Sequence, residues 1–430
     1  MGNMPMRESV GRAVTEGYLS PEELNAIASE GLGALPVDGR RVLIIIPDGT
    51  RTMPMPLLFS LLERELGPRV AALDYLVALG THTPMNDAQL SAHVGTTVVN
   101  GRAGARNIFN HRWDDPGSYA HLGTIPARDI ADLTDGRMRQ DVPVALNRLA
   151  TEYDHVIICG PVFPHEVAGF SGGTKYLFPG IAAPDIIHFT HWLGALITSF
   201  EAIGTIDTAV RSVINRAASL LQTPVSLMAV VVTHHGIAGM FCGDVHDAWR
   251  QAAELSSQRH IVWVDEPYDR VLAVMPAMYD DLWTGGKGMY KSEPVVADGG
   301  EVIIYAPHVT EVSRVHGRLI DQIGYHCRDY FLAQWERFKQ YPGGILAHST
   351  HVKGNGTYDV ATNAENPRVR VTLATGISSD HCALINLGYT NPKTVDLRDY
   401  EGDRKTLVIP RAGEMLYRVR RTNHQLPTTN

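Results

Sequence analysis

Apolar runs that end in glycine or charged residues recur through the first 160 residues of the chain. Arg41–Pro47, Leu73–Leu79 and His155–Cys159 are largely apolar and have the length of strands. Runs of this kind are typical of strands that are buried on both faces of a parallel sheet. Upstream, Ser20-Pro21-Glu22-Glu23 predicts the start of a helix, in which Ser20 is the N-cap and Glu23 completes a capping box.

Strand and helix patterns alternate through the rest of the chain, and the alternation restarts near Asp265. The further predicted helices are Ile206–Leu221, Asp247–Gln258 and Cys327–Lys339, and the further predicted strands are Val225–Val232, His260–Val264, Arg270–Met275, Glu301–Ala306 and others within residues 370–387. This alternation predicts the α/β class, with two α/β domains built on mostly parallel sheets and an active site in the cleft between them. We expect an N-terminal catalytic domain at residues 1–266, a smaller C-terminal domain at 267–405, and a tail at 406–430 that returns to the N-terminal domain.

Three segments that follow predicted strands carry the chemically active side chains. They are Asp48-Gly49-Thr50-Arg51 (the aspartate loop), Gly80-Thr-His82-Thr-Pro-Met85 (the histidine loop) and Gly160–Gly180 (the glycine-rich segment). Loops beyond the carboxyl ends of parallel strands meet at one edge of a sheet. We therefore expect one edge to present two imidazoles, a guanidinium, an amine, a carboxylate and a further histidine, namely His82, His165, Arg51, Lys175, Asp48 and His191.

Composition and charge narrow the function classes. The chain has 430 residues, a net charge of −8 and no long basic stretch, which argues against nucleic-acid binding. Its four cysteines are far apart and form no C-x-x-C motif. No apolar run approaches the length of a membrane span, and the first residues lack an apolar signal region. We expect a cytoplasmic protein of two domains that acts on a small molecule.

Two familiar motifs are matched only in part. Gly169-Phe-Ser171-Gly-Gly173 fits the G-x-S-x-G pattern of a hydrolase nucleophile elbow, but the predicted strand ends near Cys159, ten residues too early. In Gly172-Gly-Thr-Lys175 the threonine precedes the lysine, which is the reverse of the phosphate loop of ATPases. His188 and His191 lie three residues apart without a cysteine or carboxylate at zinc-site spacing, so zinc is weakly indicated.

The three segments, in this order and spacing, resemble the nickel-pincer-nucleotide lactate racemase (LarA) superfamily. The match includes the aspartate loop, the histidine loop, Pro164-His165-Glu166, Ser171-Gly-Gly-Thr-Lys175 and His191. Leu282-Trp-Thr284-Gly-Gly-Lys287 is similar, more weakly, to a cofactor- and substrate-facing loop of that family.

The resemblance implies a covalent nickel cofactor, Ni(II)-pyridinium-3,5-bisthiocarboxylic acid mononucleotide, attached through Lys175. It implies that His191 binds the nickel and that His82 and His165 are the two acid/base residues, one for each enantiomer. Further cofactor contacts are implied for Asp48, Gly49, Thr50, Arg51, Thr284 and Lys287. The implied activity is that of a 2-hydroxyacid racemase or C2-epimerase that transfers a hydride from the substrate Cα to the cofactor. The implied partners are proteins of cofactor synthesis.

Departures from the family pattern concern the substrate. Trp283 and Thr284 stand where the family carries Tyr and Gln, and residues 344–356 contain no tryptophan. The polar stretch His348–Lys353 occupies that region, so we expect a 2-hydroxyacid other than lactate, of four or more carbons and polar. Two alternatives are a metal- or serine-dependent hydrolase and a non-catalytic carrier of nickel or cofactor; a carrier needs Lys175 and His191 but not a pair of acid/base histidines.

Overall fold

The computed structural model of the chain describes residues 9–400 and 402–420, which form two compact units. The first unit comprises the residues up to Leu193 together with Thr205–Arg259, and the second comprises Gly194–Gly204 and the residues from His260 onward. The chain passes from the first unit to the second between Arg259 and His260, and Gly194–Gly204 also belongs to the second unit. The expected domain bounds stay a prediction. Each unit is described by itself.

An eight-stranded sheet forms the centre of the first unit. In spatial order its strands are Val10–Ala13, Gly236–Asp244, Val225–Thr233, His155–Pro161, Arg41–Pro47, Ala72–Ala78, Arg106–Asn110 and Arg102–Ala103. The five strands from Val225–Thr233 to Arg106–Asn110 are mutually parallel, and antiparallel strands flank them on both sides. The predicted mostly parallel sheet is confirmed for this unit.

Apolar side chains on both faces explain the central strands. Ile44, Ile45 and Ile46 are consecutive and all completely buried, so helices cover the sheet from both sides. The helices of this unit are Pro21–Gly33, Met55–Leu66, Asp87–Val94, Ala127–Leu133, Leu149–Glu152, Ala209–Ala218 and Val245–Arg259, and the helix Pro184–Ile197 begins in it. Short antiparallel pairs join Tyr119–Ile125 to Val142–Asn147, and Pro164–His165 to Gly169–Phe170.

The predicted helix start at Ser20 is confirmed in detail. The Ser20 hydroxyl accepts the backbone N–H of Glu23 at 3.2 Å, and the Glu23 carboxylate accepts the N–H of Ser20 at 2.8 Å. This reciprocal pair satisfies two backbone donors that a helix terminus would otherwise leave unpaired.

A five-stranded sheet, parallel throughout, forms the centre of the second unit. Its spatial order is Gly388–Tyr389, Arg370–Thr375, Val296–Ala306, Tyr268–Val274 and Thr406–Ile409. Ile261–Val264 pairs with Leu416–Val419, and Gly356–Asp359 pairs with Ala364–Pro367. The helices are Ser199–Ala202, Leu282–Gly285, Lys287–Tyr290, Gly317–Ile323, Arg328–Ala333, Trp335–Phe338, Gly343–Lys353 and Ser379–Leu384.

Three expectations for the second unit need correction. The described part of the tail does not return to the first unit, because Thr406–Ile409 and Leu416–Val419 both pair with strands of the second unit. The helix predicted at Cys327–Lys339 is interrupted at Gln334, whose backbone (φ −117°, ψ 32°) leaves the helical region. Within 370–387, only Arg370–Thr375 is a strand, and Ser379–Leu384 is a helix capped by the Ser378 hydroxyl.

No helix among the described residues is long and apolar enough to cross a membrane.

Candidate active site

The three motif segments follow strands that are neighbours in the first sheet. His155–Pro161, Arg41–Pro47 and Ala72–Ala78 lie side by side and parallel, so the segments after them leave the same edge. The backbone N–H of Gly80, in the histidine loop, donates to the carbonyl oxygen of Gly180, in the glycine-rich segment, at 2.9 Å. The structure thus brings together the segments that the sequence analysis expected at one edge.

Asp48 and His82 form a close carboxylate–imidazole pair. Asp48 Oδ2 lies 2.5 Å from His82 Nδ1, and Asp48 Oδ1 accepts from the backbone N–H of Thr50 at 3.1 Å and from its hydroxyl at 2.6 Å. Burial by itself would raise the pKa of Asp48, but the charge and hydrogen bond of His82, with help from Arg51 and Thr50, hold it well below its ordinary value. Asp48 is therefore ionised, and both of its oxygens are engaged.

Arg51, the last residue of the aspartate loop, lies near the glycine-rich segment. Its guanidinium donates to the Thr50 hydroxyl at 3.3 Å and lies 5.9 Å from the centre of the Phe163 ring. Its charge also lowers the pKa of Lys175. A Cβ at Gly49 would meet only Met85 Cε, at 3.8 Å, so packing does not require glycine there.

His165 is buried on the short strand pair of the glycine-rich segment. Its Nδ1 accepts the backbone N–H of Val167 at 3.1 Å, and Glu166 Oε2 lies 3.5 Å from the same nitrogen. Glu166 also acts on Lys175, since its charge raises the pKa of that amine. Sequence reasoning gave Glu166 no role, although it follows His165 directly in the motif.

Lys175 sits on the single 3₁₀ turn Gly173–Tyr176. Burial, together with the charges of Arg51 and Arg211, lowers the pKa of its amine to about 7, against the raising effect of Glu166 and Asp48. Within the described part of the chain, no hydrogen bond or salt bridge of this amine is formed. A neutral primary amine is a nucleophile, whereas an ammonium is not.

We expect Lys175 to be the lysine that reacts with electrophiles near neutral pH. Brief labelling with acetic anhydride at a series of pH values, followed by peptide mass spectrometry, should show Lys175 acetylation rising with a midpoint near pH 7, because the fraction of neutral amine rises through that pKa. Lys175→Gln supplies the control for peptide assignment. Acetylation of Lys175 that begins only above pH 9 would contradict the lowered pKa.

Two side chains that the sequence analysis did not identify hold the glycine-rich segment from behind. Arg211, only 3% exposed, donates to the carbonyl oxygens of Gly172 (3.2 Å) and Phe170, and Trp249 donates to that of Ser171 at 2.8 Å. The Arg211 guanidinium stacks over the Trp249 ring at 4.1 Å, and burial lowers its pKa to about 9. These contacts brace three successive carbonyl groups of the segment.

Close packing explains two of the glycines in this segment. Gly172 and Gly173 both have positive φ, 78° and 58°. A Cβ at Gly172 would lie 2.5 Å from Val162 Cγ2, and one at Gly173 would lie 2.9 Å from the Trp249 ring. Larger residues would strain the backbone and collide with the packing that holds the Lys175 turn.

Ser171 does not act as a hydrolase nucleophile in this arrangement. Its hydroxyl donates to the carbonyl oxygen of Pro161 at 3.1 Å and accepts the N–H of Phe163 at 3.0 Å. Both contacts are to backbone and brace the start of the segment. The G-x-S-x-G match is therefore structural.

His191 lies half-buried on the helix Pro184–Ile197. Its Nδ1 is 2.7 Å from the carbonyl oxygen of Ile187, so Nδ1 carries the proton and Nε2 presents a lone pair. This is the tautomer that metal-binding histidines adopt when a carbonyl orients them. Among the described residues, no group of three or more His, Cys, Asp and Glu side chains is arranged to hold a metal ion.

Thr284 and Lys287 belong to the second unit. The Thr284 hydroxyl and backbone N–H both contact Asp281 Oδ1, at 2.9 and 3.0 Å, at the start of the helix Leu282–Gly285. The Lys287 ammonium lies over the Tyr279 ring at 4.4 Å. Next to Thr284, the Trp283 ring stacks on His348 with centroids 3.9 Å apart.

The polar stretch His348–Lys353 forms the end of the helix Gly343–Lys353. Ser349 donates to the carbonyl oxygen of Gly324 at 2.8 Å and Thr350 to that of Ala347, while Lys353 Nζ donates to the carbonyl oxygen of Asn386. These polar groups are paired inside the second unit. They give no support to a polar substrate.

Comparisons with known proteins agree with the motif resemblance. Residues 19–204 match the family model of the lactate racemase N-terminal domain. Curated lactate racemases from Thermoanaerobacterium thermosaccharolyticum and Lactiplantibacillus plantarum are 25% and 26% identical over 66% of this chain. The match spans 63% of the length of each of these relatives, a little less than two thirds.

Solved structures extend the likeness over nearly the whole chain. A crystal structure of a Thermotoga maritima protein covers 94% of this chain and is itself covered completely, with a TM-score of 0.84 and 30% identity. The lactate racemase apoprotein of T. thermosaccharolyticum has the same fold, with a TM-score of 0.69, 20% identity and 92% of each chain covered. Together with the motif order, the family model shows that residues 19–204 are a lactate racemase N-terminal domain, and the chain as a whole is similar to lactate racemases in sequence and in fold.

Proposed function

We propose that the protein is an isomerase, a 2-hydroxyacid racemase or C2-epimerase that works with a nickel-pincer nucleotide attached through Lys175. One observation carries the proposal. A lysine amine whose pKa is lowered to about 7 lies in the glycine-rich segment, beside an arginine and at the sheet edge that also presents two imidazoles. A covalent cofactor needs that amine, and proton exchange with two enantiomers needs two bases.

The residues present fit the cofactor. Lys175 offers a neutral amine in a fixed turn, and the Nε2 lone pair of His191 is a suitable nitrogen donor to Ni(II). Arg51 is a cation for the anionic nucleotide or for the substrate carboxylate, and the resemblance adds Asp48, Gly49, Thr50, Thr284 and Lys287 as cofactor contacts. When bound, the cofactor supplies a hydride acceptor for the Cα–H bond and a hydride donor for its re-formation. Loading would depend on proteins of cofactor synthesis.

The chain's own residues then handle binding and protons. Arg51 recognises the substrate carboxylate, because a guanidinium matches the two carboxylate oxygens. One histidine takes the hydroxyl proton of the entering enantiomer, and the other returns a proton to the oxygen after the keto group has turned. Imidazole suits both tasks because its ordinary pKa lies near neutrality.

The two alternative functions have less support. A serine hydrolase needs a free nucleophile, and the Ser171 hydroxyl is committed to backbone groups. A non-catalytic carrier would use Lys175 and His191, but it gives no reason for a buried carboxylate held against His82 at 2.5 Å. Substrate choice rests on Trp283 and Thr284 alone, so a preference for an acid other than lactate stays a prediction.

The test uses protein produced together with the cofactor-synthesis proteins. A panel of single-enantiomer 2-hydroxyacids, analysed by chiral chromatography, should contain at least one that is converted to its C2 epimer. With that acid deuterated at C2, the reaction should slow and the deuterium should return to C2 with little loss to water, because the Cα–H bond breaks by hydride transfer. Extensive exchange of the label with water would indicate a carbanion mechanism instead.

A further inference from the structure

The two acid/base histidines differ in what their Nδ1 atoms contact. His82 Nδ1 faces the ionised Asp48, which can only accept a hydrogen bond. His165 Nδ1 faces the backbone N–H of Val167, which can only donate one. A neutral imidazole carries its single proton on one nitrogen, and the partner of the other nitrogen decides which.

We infer that Asp48 is a positioning residue, which fixes His82 with its proton on Nδ1 and a lone pair on Nε2, whereas the Val167 amide fixes His165 in the opposite tautomer. The resting protein therefore presents one ring that accepts at Nε2 and one that donates there. The inference rests on the proposed function only for its catalytic meaning, since the tautomers are properties of the cofactor-free chain. It gives Asp48 a role other than the cofactor contact that the family resemblance implies.

Thr50 decides how Asp48 is oriented. Its backbone N–H and its hydroxyl both donate to Oδ1, which leaves Oδ2 to face His82. An asparagine at position 48 would keep its carbonyl oxygen toward these two donors and turn its amide nitrogen toward His82. His82 Nδ1 would then have to accept, and the proton would move to Nε2.

The asymmetry assigns different proton steps to the two enantiomers. A substrate hydroxyl at His82 transfers its proton to Nε2, and Asp48 stabilises the imidazolium that forms. A hydroxyl at His165 finds Nε2 already protonated, so His165 must first lose that proton to water and take one from water on Nδ1, which breaks the Val167 contact. Once Nδ1 of His165 carries the proton, it can donate a hydrogen bond to Glu166 Oε2, which lies 3.5 Å away.

Steady-state rates alone do not report this asymmetry. The two enantiomers of a racemase substrate have equal free energy, so kcat/KM must be equal in both directions whatever the histidines do. An asymmetric site shows only in kcat and KM separately, or in a direct measurement of the tautomers.

The experiment is ¹⁵N NMR of the histidine rings in cofactor-free protein, with His82→Gln and His165→Gln to assign the signals. In the wild type we expect the unprotonated nitrogen to be Nε2 in His82 and Nδ1 in His165. In Asp48→Asn, the His82 pattern should invert and that of His165 should stay. Glu166→Gln, the matched control, should leave His82 unchanged.

Two NMR outcomes would overturn the inference. In the first, His82 of the wild type is protonated on Nε2. In the second, the Asp48→Asn variant is folded, as judged by circular dichroism, and its His82 keeps the wild-type pattern. In loaded protein Asp48→Asn should lower kcat/KM by about 10²–10⁴-fold, as a wrong-tautomer histidine does elsewhere, and an unchanged value would also count against it. Failure of the wild-type loaded protein to isomerise any 2-hydroxyacid would reject the proposed function while leaving the NMR result intact.

Discussion

Lys175→Ala is expected to carry no covalent cofactor and to have no isomerase activity, when it is produced together with the cofactor-synthesis proteins. The reason is that the attachment needs a neutral amine, and the Lys175 amine is the one held in the glycine-rich segment with a pKa of about 7. Intact mass spectrometry measures the adduct, and elemental analysis measures nickel. His191→Ala should keep the adduct and lose most of its nickel, because it removes only a nitrogen ligand.

Lys353→Ala provides a matched control for that experiment. Lys353 is a second lysine whose pKa is lowered by burial, but its amine donates to the carbonyl oxygen of Asn386 in the second unit. We expect this variant to keep the adduct, which would show that a lowered pKa alone does not direct attachment. An adduct that persists in Lys175→Ala would disprove the assignment of the attachment site.

His82→Ala and His165→Ala should each lower kcat/KM by about 10²–10⁴-fold, the usual contribution of a general acid or base. Either direction of the reaction uses both rings, so each single variant should impair both enantiomers by the same factor. The Lys175 adduct should be retained, which intact mass can verify on the same samples. Chiral chromatography with each enantiomer as the starting substrate measures the loss.

His121→Ala is the control for the histidine variants. His121 is exposed on the strand Tyr119–Ile125, outside the three motif segments, and we expect its removal to leave kcat/KM within a factor of two. If either His82→Ala or His165→Ala behaved like this control, that histidine would not be an acid/base residue. A cofactor carrier without activity of its own would then become the better description.

Much of the first unit could be predicted because its signals are local. The bounds of Arg41–Pro47 follow from an unbroken apolar run, and the start of the helix at Pro21 follows from four adjacent residues. The common edge of the three motif segments follows from a general property of parallel sheets. Each of these inferences needs only a short stretch of sequence and a general property of helices or parallel sheets.

Most of the contacts that the sequence analysis missed are between distant residues. Asp48 meets His82 across 34 positions, because Arg41–Pro47 and Ala72–Ala78 are neighbouring strands, and strand order cannot be read from any single run. Arg211 looks like one more polar residue on an amphipathic helix, since its partners lie about 40 residues earlier.

The argument from the stretch His348–Lys353 to a polar substrate lost its support for the same reason. The polar groups of this stretch were interpreted as favouring a polar substrate, but their partners come from Gly324, Tyr325 and Asn386, which no local pattern connects to them. Polarity predicts exposure only where such distant partners are lacking.

The bracing of the glycine-rich segment by Arg211 and Trp249 has a consequence for cofactor loading. A loop that must become ordered when a ligand arrives spends part of the binding free energy on lost chain entropy. Here three successive carbonyl groups, those of Phe170, Ser171 and Gly172, are already tied to side chains in the folded cofactor-free protein. For the cofactor that we propose at Lys175, the glycine-rich segment would already be ordered when the chain has folded, so its ordering would not diminish the free energy of cofactor binding.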